Sequence, residues 1–466
     1  MVNLDNHKNI HCIGIGGIGL SAIAEILLSR GYNVSGSDMK ESDLTEKLRE
    51  NGANIFIGHK AENVEDADLI IYSAAIAEEN PEVKRAREKN IPLASRAEVL
   101  GLLMDEYPSS IAISGTHGKT TTTSMVSLIL KNAELDPTIL VGGNLSEIGG
   151  NYSVGHGDYF VTEACEYRDS FLELRPKIEV ILNIDSDHLD YFKDIEHIVN
   201  SFDRFTKNVR NGGIIVAYDA NPFVNRIIKD LPNVITYGYN SNCSYAIENV
   251  RFTKTGMPVF DIERNGEHIS GIELNVPGEH NILNAAAAFA CCHELGVPAD
   301  VIKETLKEYH GTKRRFDIIG KTENGVLLVD DYAHHPTEIR ATLSAAQNLP
   351  HNRVWCLFQP HTYTRTLALF DDFAEAFQEA DILVLTEIYA AREKNIYNIS
   401  SEALAQKIKE EHPDKEISYI PTLAEIAEKV AKEAKEGDLV ITMGAGDIYK
   451  AGQMIMDKCK PSKEEK

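Results

Sequence analysis

The segment SIAISGTHGKTTTTS, residues 110–124, decides the fold class of this chain. Its first five residues are typical of a buried strand, its middle is a glycine-rich turn, and a helix is predicted to follow. The backbone N–H groups of such a turn can surround phosphate oxygens, while Lys119 neutralises their charge and the Thr120 hydroxyl reaches Mg²⁺. The standard phosphate loop has a glycine where this chain has Ile113, so the loop is a shortened G-x-x-G-K-T form. The segment predicts an ATP site at the edge of a parallel α/β sheet.

Short β-branched runs alternate with helical segments on both sides of this loop, which is typical of parallel α/β sheets. Residues 243–276 differ, because their alternating polar and apolar side chains predict a small antiparallel patch. Pro108 marks one boundary, and GTKRRFDIIG at 311–320 has the composition of a linker. The domains that we expect are residues 1–108, 109–314 and 315–466. The predicted strands are residues 10–15, 33–38, 54–58, 68–73, 110–114, 158–164, 178–184, 213–218, 233–238, 326–331, 353–358, 381–386, 416–420 and 438–444.

The composition excludes several classes of protein. The chain has 466 residues, and 71 acidic against 47 basic residues give it a net charge of −24. Such an acidic chain lacks the basic face needed for general nucleic-acid binding or for docking on anionic membranes. No apolar stretch approaches the ~20 residues needed to cross a bilayer, and the N-terminus does not resemble a secretory signal. Seven cysteines without a C-x-x-C pair argue against a disulfide framework or a zinc site, so we expect the reducing cytoplasm.

Another glycine-rich turn lies near the N-terminus. Gly14, Gly16 and Gly19 follow a predicted strand and precede a predicted helix, and Asp38 ends the next strand. This spacing is close to the dinucleotide-binding fingerprint, in which a diphosphate lies at a helix N-terminus and an acid binds a ribose hydroxyl. The residues alone leave three alternatives open: NAD(P), another nucleotide diphosphate, or a purely structural turn.

Acidic side chains and a histidine follow two predicted strands of the central unit. Because the carboxyl ends of parallel strands share one edge of a sheet, we expect these groups to face the same crevice as Lys119. Glu163 is the strongest candidate for a magnesium ligand. His188 taken alone is more often a structural hydrogen-bonding residue, because Mg²⁺ prefers oxygen. The candidates are Glu163, Glu166, Asp169, Asp187, His188 and Asp190.

Over almost its whole length the chain resembles the Mur ligases. The motifs that carry this resemblance are IHCIGIGGIG-x-S at 10–21, GTHGKTTTTS at 115–124, NIDSDHLDYF at 183–192, GEHNILNAAAA at 278–288, KRRFD at 313–317, DDYAHHPTE at 330–338, FQPHTYTRT at 358–366 and IYAAREKN at 388–395. The resemblance implies a Rossmann-like N-terminal domain that binds a UDP-sugar, a central ATPase domain of the phosphate-loop type, and a Rossmann-like C-terminal domain that binds an amino acid. It also favours UDP over NAD at the first glycine loop.

The resemblance further implies roles for individual residues. The UDP-sugar would contact Gly16, Gly17, Ile18, Gly19, Asp38 and Ser73. ATP would contact Gly115, Thr116, His117, Gly118, Lys119, Thr120 and Thr121, with His280 and Asn284 at adenine and Arg315 and Asp331 closing on the nucleotide from the third domain. Two Mg²⁺ ions would be held by Thr120, Glu163 and His188, and L-alanine by Tyr332, His334, His361 and Arg365. The catalytic residues would be Lys119, Glu163, His188 and His334.

The implied reaction joins L-alanine to the lactyl carboxylate of UDP-N-acetylmuramate through an acyl phosphate formed from ATP, a step of peptidoglycan precursor synthesis. Arg365 would clamp the alanine carboxylate with two parallel hydrogen bonds, and either His334 or His361 would take the proton of the amine. We expect these three small molecules as partners, no nucleic acid, no membrane insertion, and a homodimer as one option for the assembly.

Two positions depart from the family pattern. Many relatives have an acidic residue where this chain has Cys165, which we expect to be a small buried side chain and not a nucleophile. Several other Mur ligases have a carbamoylated lysine where this chain has Phe202, and the nearest lysine is Lys207, so we expect no carbamate. The alternatives to this function are a ligase that attaches a preformed peptide to the same UDP-sugar, a folylpolyglutamate synthetase, an NAD(P)-dependent oxidoreductase and a non-catalytic UDP-sugar sensor.

Overall fold

The structure is a computed structural model that describes residues 2–73, 75–189 and 191–459. Within these residues the chain forms 21 strands and 15 α-helices, arranged as three successive α/β units. Short 3₁₀ helices lie at Leu4–Asn6, Ala61–Val64, Ser146–Ile148 and Tyr167–Glu173. The predicted α/β fold class is confirmed, and none of the described helices is long and apolar enough to cross a bilayer.

The N-terminal unit is built on a five-stranded parallel sheet. Its elements are β1 (Asn9–Ile13), α1 (Ile18–Ser29), β2 (Asn33–Asp38), α2 (Asp43–Glu50), β3 (Asn54–Ile57), β4 (Leu69–Tyr72), α3 (Pro81–Glu88), β5 (Leu93–Ser95) and α4 (Arg96–Asp105). The strands lie in the order β3-β2-β1-β4-β5, so the direction of winding reverses at β1. Parallel sheets bind ligands beyond the carboxyl ends of the strands at such a reversal, and the first glycine loop lies there.

The central unit contains a mixed ten-stranded sheet. Its elements are β6 (Ser109–Ser114), α5 (Lys119–Asn132), β7 (Thr138–Leu145), β8 (Gly150–Ser153), β9 (Tyr159–Glu163), β10 (Ile178–Ile181), α6 (Ile195–Thr206), β11 (Ile214–Tyr218), α7 (Pro222–Ile228), β12 (Val234–Gly238), β13 (Tyr245–Phe252), β14 (Pro258–Arg264), β15 (Glu267–Glu273), α8 (Glu279–Glu294) and α9 (Ala299–Glu308). The order is β15-β14-β13-β12-β11-β10-β6-β9-β7-β8. The strand before the phosphate loop, β6, therefore lies between β9 and β10, whose ends lead into the two acidic clusters.

The C-terminal unit contains a six-stranded sheet. Its elements are β16 (Asp317–Lys321), β17 (Leu327–Asp331), α10 (Pro336–Gln347), β18 (Val354–Phe358), α11 (Tyr363–Ala368), α12 (Phe370–Ala374), β19 (Ile382–Leu385), α13 (Ser401–Glu411), β20 (Glu416–Tyr419), α14 (Leu423–Glu433), β21 (Leu439–Met443) and α15 (Tyr449–Lys458). The order is β16-β17-β21-β18-β19-β20, with β16 antiparallel to β17 and the other pairs parallel.

The structure differs from the sequence prediction in a few elements. The composition of 311–320 predicts a linker, but β16 takes up its second half, because the backbone there pairs with β17 at the sheet edge. The elements absent from the prediction are the strands β5, β7 and β8 and the helices α6, α7, α10, α11, α12 and α15. In β7 the pair Gly142–Gly143 interrupts the apolar pattern that marks a strand. The predicted antiparallel patch over 243–276 is present as β13, β14 and β15.

Small side chains position the helix that follows the phosphate loop. In α8 the run 285–292, four alanines followed by phenylalanine, alanine and two cysteines, is completely buried. Because most of these side chains are small, α8 packs closely against α5 beneath the sheet. The N-terminus of α5, and with it the phosphate loop, is thereby held against a well-packed core.

Candidate active site

The central glycine loop connects β6 to α5 and is held by the residues that follow β10. The N–H of His117 donates to Oδ1 of Asn183 (2.8 Å), and Nδ2 of Asn183 donates back to the His117 carbonyl (3.0 Å). Gly118 has φ +87°, and a Cβ there would lie 2.5 Å from Oδ1 of Asn284, so the position requires glycine. The loop is therefore fixed with its N–H groups at the start of a helix, an arrangement that binds phosphate.

The Lys119 ammonium lies inside this loop. Its Nζ donates to the carbonyl oxygens of Gly115 (2.5 Å) and Thr116 (3.1 Å) and forms an ion pair with Oε2 of Glu166 (2.9 Å). Burial disfavours the charged ammonium, but the carboxylates nearby, Glu166 above all, hold the pKa of Lys119 above its usual range. The cation of the phosphate loop thus has a partner, and that partner is itself buried.

The predicted magnesium ligands lie around this ion pair. Oε1 of Glu163 accepts a hydrogen bond from the N–H of Gly142 (2.6 Å), and a Cβ placed on Gly143 would lie 3.0 Å from the Thr120 methyl carbon. On the other side, Nε2 of His188 lies 4.0 Å from Oε1 of Glu166. Carboxylate and hydroxyl oxygens are the ligands that Mg²⁺ prefers, so this set of side chains fits a hard divalent cation.

The remaining members of the predicted acidic cluster lie elsewhere. Asp169 accepts hydrogen bonds from the hydroxyl groups of Tyr191 (3.0 Å) and Ser201, so its carboxylate is part of a separate network. Asp190 lies outside the described residues. Cys165 is half-buried, not fully buried as predicted, and desolvation raises the pKa of its thiol, which fits the prediction that it is not a nucleophile.

His188 has an unusual backbone conformation. Its φ is +54°, in the left-handed region that few non-glycine residues adopt, and its ring contacts the Tyr167 ring at a centroid distance of 4.8 Å. Such conformations persist where the surrounding structure enforces them, and they cluster at functional sites. The geometry is consistent with a side chain that is held in one orientation toward Glu166.

A cavity of about 400 Å³ opens between the central and C-terminal units, next to the phosphate loop. The predicted residues that line it are His117, Gly118, Thr121, His280, Asn284, Arg315 and Asp331, and the unpredicted ones include Tyr218, Phe223 and Tyr237. Burial lowers the pKa of His280 to about 4, so its imidazole is neutral at physiological pH. Aromatic walls with a few neutral polar groups suit a purine base.

Asp331 has a structural task within this cavity. Its Oδ1 accepts from the N–H of Ala333 (2.6 Å) and its Oδ2 from the N–H of Phe316 (2.7 Å). Burial raises the pKa of Asp331 to about 6. The bond to Phe316 holds the backbone next to Arg315, whose guanidinium lies over the Tyr332 ring at 5.1 Å. Asp331 thus positions the segment that carries Arg315 at the cavity wall.

The predicted amino-acid pocket lies where the C-terminal unit meets the central one. Nη2 and Nε of Arg365 donate to Oδ1 of Asp187 (2.9 and 3.2 Å), and Nη1 donates to Nδ1 of His361 (3.2 Å). Burial disfavours ionised Asp187, but the Arg365 guanidinium outweighs this effect and holds the pKa of Asp187 below its usual range. Arg365, which is predicted to bind the alanine carboxylate, is therefore bonded to the carboxylate of Asp187 in the central unit.

Two neutral imidazoles lie beside Arg365. Burial lowers the pKa of both His334 and His361 to about 4. Nδ1 of His334 faces the carbonyl oxygen of Tyr332 (2.9 Å) and therefore carries the ring proton, which leaves Nε2 as an acceptor. Nδ1 of His361 accepts from Arg365, so its Nε2 carries the proton. These tautomers, assigned from the hydrogen-bond partners, favour His334 over His361 as a proton acceptor.

These groups form a continuous series of charged and polar side chains. Lys119 pairs with Glu166 at 2.9 Å, Glu166 lies 4.0 Å from His188, His188 lies 3.9 Å from Asp187, and Asp187 pairs with Arg365 at 2.9 Å. We call this series the ionic chain. It connects the glycine loop of the central unit to the predicted amino-acid pocket of the C-terminal unit.

A second contact between the two units is absent from the sequence prediction. His117 lies between Asp185 (3.2 Å) and Glu338 (3.3 Å), and the Thr337 hydroxyl donates to Asp185 (2.9 Å). Burial disfavours the imidazolium, but the two carboxylates outweigh it and raise the pKa of His117 to about 9. The capping box at the start of α10, in which Glu338 takes part, marks the beginning of this helix, but no local pattern indicates the contact with His117.

Part of this contact has the composition of a metal site. Ligand atoms of His117, Asp185 and His335 lie within 4.8 Å of one another. However, Nε2 of His335 donates to the Ser186 carbonyl (2.9 Å), and its Nδ1 accepts from the N–H of Thr337 (3.3 Å). Because both ring nitrogens are engaged, we interpret this cluster as a hydrogen-bond network between the units.

The N-terminal glycine loop forms a separate site at the edge of the first sheet. Oδ2 of Asp38 accepts from the N–H of Gly16 (2.9 Å), and its Oδ1 accepts from the N–H of Met39 (2.7 Å). Gly14 has φ +83°, and a Cβ there would lie 3.3 Å from Oγ of Ser73. The predicted residues that the structure brings together at this edge are Gly16, Gly17, Ile18, Gly19, Asp38 and Ser73.

Comparisons with known proteins point to one family. Residues 9–108 match the description "Mur ligase family, catalytic domain", residues 113–292 match "Mur ligase middle domain", and residues 314–446 match "Mur ligase, glutamate ligase domain". The three matches follow one another along the chain and correspond in order to the three units of the structure.

Individual relatives agree with these matches. A protein named UDP-N-acetylmuramate–L-alanine ligase from Alkaliphilus metalliredigens is 50% identical, covering 97% of this chain and 98% of the relative. One of the same name from Clostridium novyi is 52% identical, with coverage of 97% and 98%. The crystal structure of UDP-N-acetylmuramate–alanine ligase from Thermotoga maritima has a TM-score of 0.83 at 31% identity, covering 98% of this chain and 100% of that chain. A murein peptide ligase from Psychrobacter arcticus shares the fold, with a TM-score of 0.70 at 23% identity.

A lysine-bearing phosphate loop, a nucleotide cavity between two α/β units and an arginine pocket next to it define an ATP-dependent ligase. The matched descriptions and the identities above make the assignment more specific. The chain belongs to the Mur ligase family and is a ligase of peptidoglycan synthesis.

Proposed function

We propose that the chain joins L-alanine to the lactyl carboxylate of UDP-N-acetylmuramate, with conversion of ATP to ADP and phosphate. The observation that carries this proposal is the ionic chain from Lys119 to Arg365. A carboxylate does not condense with an amine in water, because its leaving group is too poor, so it must first be activated. The ionic chain brings a phosphate-binding loop and an amino-acid pocket to one crevice, as activation followed by amine attack requires.

In the proposed first step, the lactyl carboxylate attacks the γ-phosphorus of ATP, and ADP leaves. Lys119 donates to the phosphate oxygens and neutralises charge as it moves from the γ- to the β-phosphate. Thr120, Glu163 and His188 would hold Mg²⁺, proposed as two ions, which supplies further charge neutralisation at the phosphates when bound. His280 and Asn284 would contact adenine in the cavity, and Arg315 would close on the nucleotide from the C-terminal unit.

In the proposed second step, the amine of L-alanine attacks the acyl carbon of the acyl phosphate. Arg365 binds the alanine carboxylate through two of its N–H groups, and Tyr332 and His361 complete the pocket. Nε2 of His334 accepts the proton that the attacking nitrogen loses. The tetrahedral intermediate then collapses, the bond to phosphate breaks, and an amide and inorganic phosphate remain.

The three predicted domains have distinct proposed tasks. Residues 1–108 bind the UDP-sugar, 109–314 bind ATP, and 315–466 bind the amino acid, with a hinge near 311–316. Because acyl phosphates hydrolyse, the domains must close before the first step. Small-angle scattering should show compaction when an ATP analogue and UDP-N-acetylmuramate bind together, and unchanged dimensions would contradict closure. The reducing cytoplasm remains the proposed compartment, and sedimentation would test the homodimer.

The test of the function is phosphate release from Mg-ATP and UDP-N-acetylmuramate, measured with and without L-alanine. We expect release only with both acceptors, and one amide for each phosphate. Release with an L-alanyl peptide but not with L-alanine would instead assign the peptide-attaching activity. If neither amine supports release although the UDP-sugar binds, the chain is a sensor and the proposed reaction is wrong. Glycine and serine serve as controls, and one methyl group discriminates by only about 1–3 kcal/mol.

A further inference from the structure

The helix α4 bridges the N-terminal glycine loop and the loop that follows β9. It packs against α1 on one side and against the 3₁₀ helix Tyr167–Glu173 on the other. The second contact is close, because Gly101 of α4 lies directly against the backbone carbonyl of Glu173. The first residue of α4, Arg96, also lies within electrostatic range of Cys165, the residue before Glu166 of the ionic chain.

The side chain of Arg96 extends over the N-terminal turn of α1. A Cβ placed on Gly19 would lie 2.9 Å from Nη1 and 3.4 Å from Cζ of Arg96, so the guanidinium covers this glycine. Gly19 belongs to the turn whose N–H groups face the diphosphate in sites of this type. The cation is thus located where a diphosphate would be bound.

Arg96 also differs from neighbouring arginines in having no anionic partner within the described part of the chain. Arg30 of α1 pairs with Glu106, and Arg210 bonds to Asp105 and to two backbone carbonyl groups. Among the residues that the structure describes, none forms a hydrogen bond or ion pair with the Arg96 guanidinium. A half-buried guanidinium without an anion is unfavourable, so this position indicates a ligand with negative charge.

We propose that Arg96 binds the diphosphate of the nucleotide sugar, on the side of the first glycine loop that faces the ionic chain. This inference rests on the proposed function, because it takes the nucleotide sugar as the ligand of the first loop. The planar guanidinium matches two phosphate oxygens at once. Arg96 supplies from a neighbouring helix the positive charge that Lys119 supplies within the second loop.

The test measures affinity by calorimetry on the full chain for three ligands: UDP, UDP-N-acetylglucosamine and UDP-N-acetylmuramate. For Arg96→Ala we expect all three to bind roughly 10- to 100-fold more weakly, the loss typical of a charged hydrogen-bonding partner. Arg96→Lys should lose less. Arg85→Ala removes the same charge from α3 of the same unit, where Arg85 pairs with Glu65 and Glu88, and should change none of the three affinities. ATP affinity should stay constant in every variant.

Unchanged UDP affinity in Arg96→Ala would overturn the inference, and so would a loss confined to UDP-N-acetylmuramate, because the guanidinium would then meet the lactyl carboxylate. Failure of the unaltered chain to bind UDP would overturn the proposed function as well. If Arg96→Ala does not fold, Arg96→Gln replaces it, with retained ATP binding as the criterion of folding.

Discussion

The two glycine loops of this ligase have the same backbone design but different charges around them. In each, a parallel strand leads into a turn with at least one glycine of positive φ and then into a helix N-terminus. The second loop encloses Lys119, which pairs with the buried Glu166. The turn of the first loop has no lysine or arginine of its own: the N–H of Gly16 bonds to Asp38, and the Arg96 guanidinium lies over Gly19 from α4. The comparison shows that backbone geometry can bind phosphate in both, whereas the charges decide which phosphate is suited to react.

Replacement of Lys119 by alanine should give the largest difference between the two loops, because it should impair phosphate release without affecting UDP binding. Loss of the cation at the transferred phosphate should lower the rate of phosphate release by about 100- to 1,000-fold, since this charge acts on the transition state. UDP affinity, measured by calorimetry, should not change. Lys131→Ala is the matched control, because Lys131 lies in the last turn of the same helix and its ammonium donates to the Glu147 carbonyl, away from the loop. Equal loss in both variants would contradict the role given to Lys119.

Replacement of Arg365 by lysine extends the comparison to the proposed amino-acid pocket, whose cation belongs to the C-terminal unit. Lysine keeps the charge but loses the planar pair of donors that bind Asp187 through Nη2 and Nε. The KM for L-alanine should rise roughly 10-fold or more, while the KM for ATP stays nearly constant. Initial rates with each substrate varied in turn would measure both constants. Parallel increases in both would place Arg365 outside the amino-acid pocket.

Alanine substitutions at Gly14 and Gly118 compare how far each loop depends on a glycine with positive φ. Gly14 and Gly118 have nearly the same φ, +83° and +87°, so the conformational penalty is similar, about 1–2 kcal/mol. A Cβ on Gly118 would lie 2.5 Å from Oδ1 of Asn284, which Thr122 and Asn281 hold in place, whereas the nearest atom at Gly14 is at 3.3 Å. Gly118→Ala should therefore weaken ATP binding by about 10-fold or more, and Gly14→Ala should weaken UDP binding less. The reverse order in calorimetry would contradict this.

Two buried glutamates, Glu179 in the central unit and Glu82 in the N-terminal unit, are expected to affect stability oppositely as pH changes. Burial raises the pKa of Glu179 to about 8, because Ser114 donates a single hydrogen bond at 3.3 Å. At Glu82, burial acts in the same direction, but neighbouring His11 and hydrogen bonds from Ser37 (2.6 Å) and Asn63 (2.6 Å) outweigh it and lower the pKa. The number of donors thus decides whether a buried carboxyl group is protonated.

Glu179→Gln should stabilise the chain increasingly as pH rises. The unfolded chain releases the Glu179 proton near pH 4.3 and the folded chain only near pH 8, so stability is lost between these values in the unaltered chain. Thermal denaturation from pH 5 to 8 should show the difference, roughly 1–3 kcal/mol at the upper end. Glu82→Gln is the contrasting control and should destabilise at neutral pH, with a smaller effect in acid. A flat difference between Glu179→Gln and the unaltered chain would contradict the raised pKa.

The predictions from sequence succeeded where the signal was local. Strand, glycine turn and helix are adjacent along the chain, so both loops and the strands before them could be located within a few residues. The Gly142–Gly143 pair concealed β7, and a basic segment before β16 made that edge strand resemble a linker. The ion pair of Lys119 with Glu166 spans 47 positions and that of Arg365 with Asp187 spans 178, so no local pattern indicates them. The charge of His117 depends on Glu338 of another unit and could not be predicted either.

The ion pair of Lys119 with Glu166 has a consequence for selectivity among anions. Because Glu166 is tethered next to the ammonium, it acts as an internal competitor at a high effective concentration. Free phosphate or sulfate would have to displace the Glu166 carboxylate from Lys119 with only a few contacts of its own. A nucleotide can draw on its base, ribose and three phosphates together to do so. The buried glutamate thereby protects the loop from abundant small anions and reserves it for a ligand that binds at several points.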